Sequence, residues 1–222
     1  ETGTFPAAGA AAQALGAELL KQETSLSYSL GLVLQPIDRL YVTVDAYQIE
    51  IDDRIVLSSN LNIAGNQAAQ ALLASLGITG VTSARYFNNA IDTRTRGVDV
   101  VGSYSIPFDA STLGLTASYN YNKTEVTRIA PNPAALDALG ANLQRMGRDE
   151  RGRIEEGAPR DKFAFTGDWS LEHWGFNGGI TRYGRFTNRH ATVPAQDQTF
   201  DASWTLDLAA SGITTVVWCI GF

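Results

Sequence analysis

The chain has 222 residues, 44% hydrophobic and 18% charged, which excludes a disordered composition. Its net charge of −6 excludes a face built to grip nucleic-acid phosphates. The two histidines, His173 and His190, stand apart from the single cysteine, Cys219, so neither a His/Cys metal centre nor a cofactor is expected.

Extended segments dominate the chain in order. No apolar run is long enough for a transmembrane helix, which needs about 18 residues. From Ser25 to Gln35, Leu26, Tyr28, Leu30, Leu32 and Leu34 fall on one face and mostly Ser and Gly on the other, with Val33 out of phase. Side chains alternate along a strand, so this spacing predicts a strand with one apolar side. Pro36-Ile37-Asp38 turns the chain into a second strand, with Leu40, Val42, Val44 and Ala46 opposite Tyr41, Thr43, Asp45 and Tyr47. The apolar phase breaks near Gln48, where a bulge or an exit from the apolar zone is expected.

The unit recurs. Val98, Val100, Gly102, Tyr104 and Ile106 precede a turn at Pro107–Ala110, and Leu113, Leu115, Ala117, Tyr119 and Tyr121 follow it. A third pair covers Lys162–Ser170 and Gly175–Phe186, joined near Glu172-His173. A seventh strand places Phe200, Ala202, Trp204, Leu206 and Leu208 on one face, and after Ser211-Gly212 an eighth is expected over Thr214–Phe222. Connections after odd-numbered strands are short. Those after the second and fourth are long, roughly residues 56–92 and 124–160. Short turns at one end and long loops at the other describe a transmembrane β-barrel. Tyr and Trp gather at strand ends, as interfacial girdles do. In the long loops, Asn66–Gly77 reads as a helix, Pro133–Met146 as a second with Asn132 as its cap, and residues 145–160 as a solvated tip.

Particular residues now resemble a family. Leu20-Lys21-Gln22-Glu23-Thr24-Ser25 with Tyr28-Ser29-Leu30-Gly31, the strand Asp45-Ala46-Tyr47-Gln48-Ile49-Glu50-Ile51-Asp52-Asp53-Arg54-Ile55, and the block Tyr86 to Asp99 (YFNNAIDTRTRGVD) are similar to barrel segments of TonB-dependent receptors. The residues carrying the likeness are Glu23, Asp45, Tyr47, Asp53, Arg54, Asn89, Asp92, Thr93, Arg94, Arg96, Gly97 and Asp99, and their expected role is structural. Gln22 departs from the family's usual proline, and residues 213–222 read unlike it.

The resemblance implies an all-β fold, a segment of about seven or eight up-and-down antiparallel strands from a barrel of about 22, with short helices in long external loops. Residues 1–222 would then be a partial barrel domain with its plug domain outside the chain. No leader opens the chain at Glu1–Thr4, which fits a start inside a longer protein. Implied partners are outer-membrane lipid, the plug and remaining strands, the TonB energy-coupling complex and a small-molecule ligand. The implied location is the outer membrane of a Gram-negative bacterium. The implied activity is energy-coupled uptake of a scarce nutrient such as a ferric siderophore, cobalamin or carbohydrate, and no enzymatic reaction. A passive pore, a small self-closed barrel and a soluble β-sandwich binding module remain alternatives at this point. Arg94 and Arg96 are expected to pair with Asp92 and Asp99, the alternative being contact with an anionic ligand.

Overall fold

The structure, a computed structural model, describes residues 1–140 and 143–211. In chain order the strands are β1 (Thr2–Phe5), β2 (Thr24–Ile37), β3 (Leu40–Leu57), β4 (Leu61–Asn62), β5 (Ser83–Pro107), β6 (Ser111–Ile129), β7 (Asp161–Leu171), β8 (Trp174–Tyr183), β9 (Phe186–Asn188), β10 (Gln198–Phe200) and β11 (Ser203–Ser211). The helices are α1 (Ala10–Ala14), α2 (Gln67–Ser75), α3 (Ala134–Leu139) and α4 (Arg148–Glu155). Seven long strands form one antiparallel meander in the order β11-β8-β7-β6-β5-β3-β2, each paired with its neighbours in sequence. The eighth strand expected over 214–222, the turn at Gly212 and Cys219 lie outside the described residues.

The apolar phase of each strand lines up across the sheet. Leu30 pairs with Ala46, Ala46 with Val98, Val98 with Tyr121, and Ile180 with both Phe165 and Leu206. A one-residue slip anywhere would carry an apolar set to the other side, so this agreement fixes the register. The opposite face carries Ser27, Ser29, Gly31, Asp45, Asp99, Ser103, Thr116 and Asn120.

Nothing among the described residues covers the apolar face. Leu26, Leu30, Leu32, Trp169, Phe176, Trp204 and Leu208 are all exposed, Leu30 to 78%. The buried apolar residues sit instead beyond one end of the sheet. Leu15, Leu61, Ile63, Leu73, Tyr86, Leu136 and Leu143 form one cluster, and Ala90, Ile91 and Met146 a smaller one against Val56, Val126 and Ile154. The long connections and the N-terminal segment therefore build a core against the outer end of β5, while the apolar belt of the sheet has none.

Several boundaries differ from the sequence reading. β3, β5 and β6 run for 18, 25 and 19 residues, so residues 83–92 and 124–129, expected within the long loops, are strand. At about 3.3 Å per residue β5 is roughly 80 Å long, against a hydrocarbon layer of about 30 Å. Strand polarity misled the boundary, because residues beyond the apolar zone lose their alternation of hydrophobicity without leaving the sheet. The bulge in β3 falls at Asp52–Ile55, where Asp53 takes φ 51, and Gln48 stays in register opposite Arg96 as the exit from the apolar zone. Phe200 belongs to a two-stranded ribbon with β9, where it stacks on Phe186 at 4.7 Å, and β11 starts at Ser203.

In the loops, Asn66 caps α2 by accepting from the Ala69 N–H at 2.9 Å. α3 stops at Gly140, whose φ of 131 is closed to most side chains. Asn132 caps nothing: Pro133 is the N-cap, and the Asn132 amide instead donates to the Leu143 carbonyl and accepts from Arg145 N–H. Residues 145–160, expected as a solvated tip, hold α4, with Arg145 and Glu150 buried.

Candidate functional site

The residues behind the resemblance converge on two places in β2, β3 and β5. The first is the β3 bulge. Because Asp53 turns to positive φ, its amide leaves the ladder, and the Asp92 carboxylate accepts it at 2.8 Å. Arg128 at the end of β6 then donates to both Asp92 and Asp53, at 2.7 and 2.8 Å. Asn89 closes the other side. Its side chain accepts from Lys21 N–H at 2.8 Å and donates to the carbonyls of Lys21 and Asp53. Glu23 accepts from the Ile55 amide, and Arg54 donates to the Thr93 hydroxyl at 3.2 Å. An irregular stretch of backbone needs such partners, because amides taken out of a ladder must be satisfied elsewhere.

The second place lies five to eight residues further along the same strands. Tyr47 and Gly97 are directly paired, and a Cβ on Gly97 would overlap the Tyr47 ring. Asp45 pairs with both Gly31 and Asp99, and Asn120 donates to Asp99. Glycines there admit a ring and a carboxylate that larger neighbours would displace.

Arg94 and Arg96 do not pair as expected. Arg94 bonds Glu50 at 2.7 Å and Arg96 bonds the Gln48 amide oxygen at 2.6 Å. Their even numbers put them on the same face as Val98, with Gln48 and Glu50 directly across, whereas Asp99 points to the other face. Asp92 turns to Arg128.

Two features escaped the sequence. One is a set of ion pairs tying the long connections together. Arg148 holds Asp197 in a two-pronged contact with one arm at 2.6 Å, Arg189 holds Glu156 at 2.6 and 2.9 Å, and Arg85 on β5 bonds Glu150. The Arg148 guanidinium holds the Asp197 carboxyl down at about 2, and Arg189 lowers that of Glu156. Burial raises Glu150 against the pull of Arg153 and Arg85. His190 also has a loop role: its Nδ1 accepts from Val193 N–H at 3.1 Å. The other feature is a cavity of about 680 Å³ where three connections meet, lined by Ser59, Asn60, Gln144, Asp149 and Thr192. Charge signs alone do not reveal partners 33 to 65 residues apart.

Among the described residues no group of His, Cys, Asp and Glu could hold a metal, and no helix is long and apolar enough to cross a membrane. The family model described as TonB dependent receptor-like, beta-barrel, matches residues 2–215. The chain belongs to the TonB-dependent receptor family.

The fold agrees. The outer membrane transporter YddB from Escherichia coli superposes with a TM-score of 0.56 at 11% identity, over 86% of this chain and 26% of that one. The FrpB iron transporter from Neisseria meningitidis gives 0.52 at 11% identity, over 87% of this chain and 24% of that one. The ferripyoverdine receptor of the outer membrane of Pseudomonas aeruginosa shares 16% identity over 88% of this chain and 22% of that one, with a TM-score of 0.49. The chain thus spans about a quarter of the length of these solved structures. No curated protein matches it. The chain is an all-β, antiparallel segment of a TonB-dependent β-barrel, and the family is one of receptors and transporters.

Proposed function

We propose that this chain forms part of the wall of an outer-membrane receptor that imports a scarce small molecule, with energy delivered through a plug segment and the TonB complex. The plug and the remaining strands lie elsewhere in the protein. One observation carries the reading: a seven-stranded sheet with a continuous, uncovered apolar face and a small, polar opposite face. In water such a face costs roughly 25 cal/mol for each Å² of apolar area left exposed. Against lipid it costs nothing, and the polar side then lines a lumen. Loop asymmetry supports the same orientation, with the tight turns at one end and the self-cored connections at the other, external, end.

The signature network around Asn89, Asp92, Asp53 and Arg128 would serve as a structural pin where β3 and β5 leave the membrane. Ligand contact would fall to the external connections, including the cavity between residues 59–62, 144–149 and 191–192. FrpB is named an iron transporter, which makes a ferric complex the first ligand class to try, before cobalamin and carbohydrates.

The test is uptake by cells expressing the protein from its gene, with its natural flanking sequence, with each ligand class in turn as limiting nutrient. Import is expected only where TonB is present. Equal uptake without TonB would mean a passive pore. A protein that stays folded and monomeric in buffer without detergent would remove the membrane reading altogether.

A further inference from the structure

The cavity of about 680 Å³ where three connections meet falls within the range of roughly 300–1,000 Å³ usual for small-molecule sites. One side chain fixes its wall. Ser59, just after β3, accepts from the Gly147 N–H at 2.8 Å and donates to the Asp149 carboxylate at 3.0 Å. Its own amide donates to the Arg145 carbonyl at 3.1 Å. The start of α4 is thereby held against the end of β3.

The other polar groups of the wall carry no such internal duty. Asn60, Gln144 and Thr192 are exposed, and their side chains make no hydrogen bond among the described residues. Asn62 accepts the Gly65 N–H through its oxygen at 3.0 Å, which leaves its amide nitrogen without a partner among the described residues. The second carboxylate oxygen of Asp149 is likewise open there. Among the described residues no cation and no aromatic ring lines the cavity. The arginines next to it in sequence are engaged elsewhere: Arg145 with the Pro131 carbonyl, Arg148 with Asp197 and the His190 carbonyl, and Arg189 with Glu156.

Such a lining discriminates by charge and by polarity. An anion would meet the Asp149 carboxylate with no cation to offset it. An apolar or flat aromatic ligand would cover three amides and a hydroxyl and leave them neither water nor partner. A group bearing several hydroxyls both donates and accepts. It matches amide side chains, which do the same, and a carboxylate oxygen, which accepts.

We infer that this cavity is a site for an uncharged, hydroxyl-rich ligand, a neutral glycan, held chiefly by Asn60, Gln144, Thr192 and Asp149. The inference rests on the receptor reading proposed above and names the ligand class of the cavity assigned there.

The experiment uses the protein expressed with its natural flanks and purified in a detergent without sugar groups. It is applied to an array of neutral oligosaccharides, uronic-acid oligosaccharides and amino sugars. Binding is expected in a neutral series and should weaken about tenfold in N60A/Q144A. Both residues are exposed and unbonded, so the unfolding midpoint of that variant should match the parent's. Binding confined to uronic acids or to amino sugars overturns the assignment. So does binding of a neutral glycan that is unchanged in N60A/Q144A. If cells show TonB-dependent uptake of another ligand class and no neutral glycan binds, this inference alone fails. If no ligand class is taken up in a TonB-dependent way, the receptor reading fails, and the array still decides what the cavity holds.

Discussion

At the scale of single residues, Asn89 shows how one side chain can hold three pieces of backbone together. It bonds both peptide groups of Lys21 and the Asp53 carbonyl, and alanine would leave all three without that partner. N89A is expected to cost about 1–3 kcal/mol, read as a lower midpoint in denaturant unfolding of the protein in detergent. An unchanged midpoint would show that water replaces the amide without loss. Gly97 makes a different point. G97A must push the Tyr47 ring aside, at about 1–3 kcal/mol. Removing the ring as well, in Y47A/G97A, should make the added methyl nearly harmless, so the two losses should not add. The residue types at these positions stood out in the sequence as part of a familiar string, but their partners did not. Arg94 and Arg96 illustrate why. Opposite charges close in sequence looked like pairs, whereas alternation in a strand sends Asp99 to the other face from Arg96, Arg128 takes Asp92, and the two arginines reach across to Glu50 and Gln48.

At the scale of elements, strand existence was legible and strand length was not. Alternation marked β2, β3, β5, β6, β7 and β8 correctly, because an apolar face imposes period two wherever it exists. Beyond the apolar zone that pressure ends, and the extensions of β3, β5 and β6 are held by ladder hydrogen bonds and by packing of Tyr86, Ile91, Val56 and Val126 into the clusters at that end. The loops show the reverse. α2 announced itself by Asn66, Ala69, Leu73 and Gly77, while α4 has Ile154 as its one large apolar residue and is fixed by ion pairs with distant segments. Those pairs carry a pH signature. Asp197 is held down at about 2 by Arg148, so the clamp's stabilisation is complete above the ordinary carboxylate value of 3.8 and is lost as pH falls through about 2. Glu156, lowered by Arg189, acts in the same direction, whereas Glu150, raised by burial, opposes it by favouring the protonated form as pH falls. Hydrogen-exchange protection of residues 189–197, corrected for intrinsic rate, should therefore hold from neutrality to about pH 4 and fall below it. R148A should show the unprotected pattern at neutral pH already. Protection that survives in R148A would assign the clamp to the Arg189–Glu156 pair instead.

At the scale of the molecule, the central fact is a sheet without a core. A charge placed on the apolar face should be excluded from lipid, and the same charge one residue along should not. L30R, in the middle of the β2 belt, is expected to cost about 2–4 kcal/mol in vesicles, and S29R far less. Reading both by refolding yield into vesicles gives the face directly, and equal effects would mean that the belt does not meet lipid. The sequence by itself determined the fold class, the two faces of each strand, the asymmetry of the connections and the family, because all four follow from local periodicity and local strings. Only the tertiary structure decided where the strands end, which partner each arginine takes, that a bulge at Asp53 is pinned from β5 and β6, and that the buried apolar residues gather where the outer end of β5 meets the connections and the N-terminal segment. These depend on contacts between residues far apart in the chain, and spacing along a single strand carries no record of its partner.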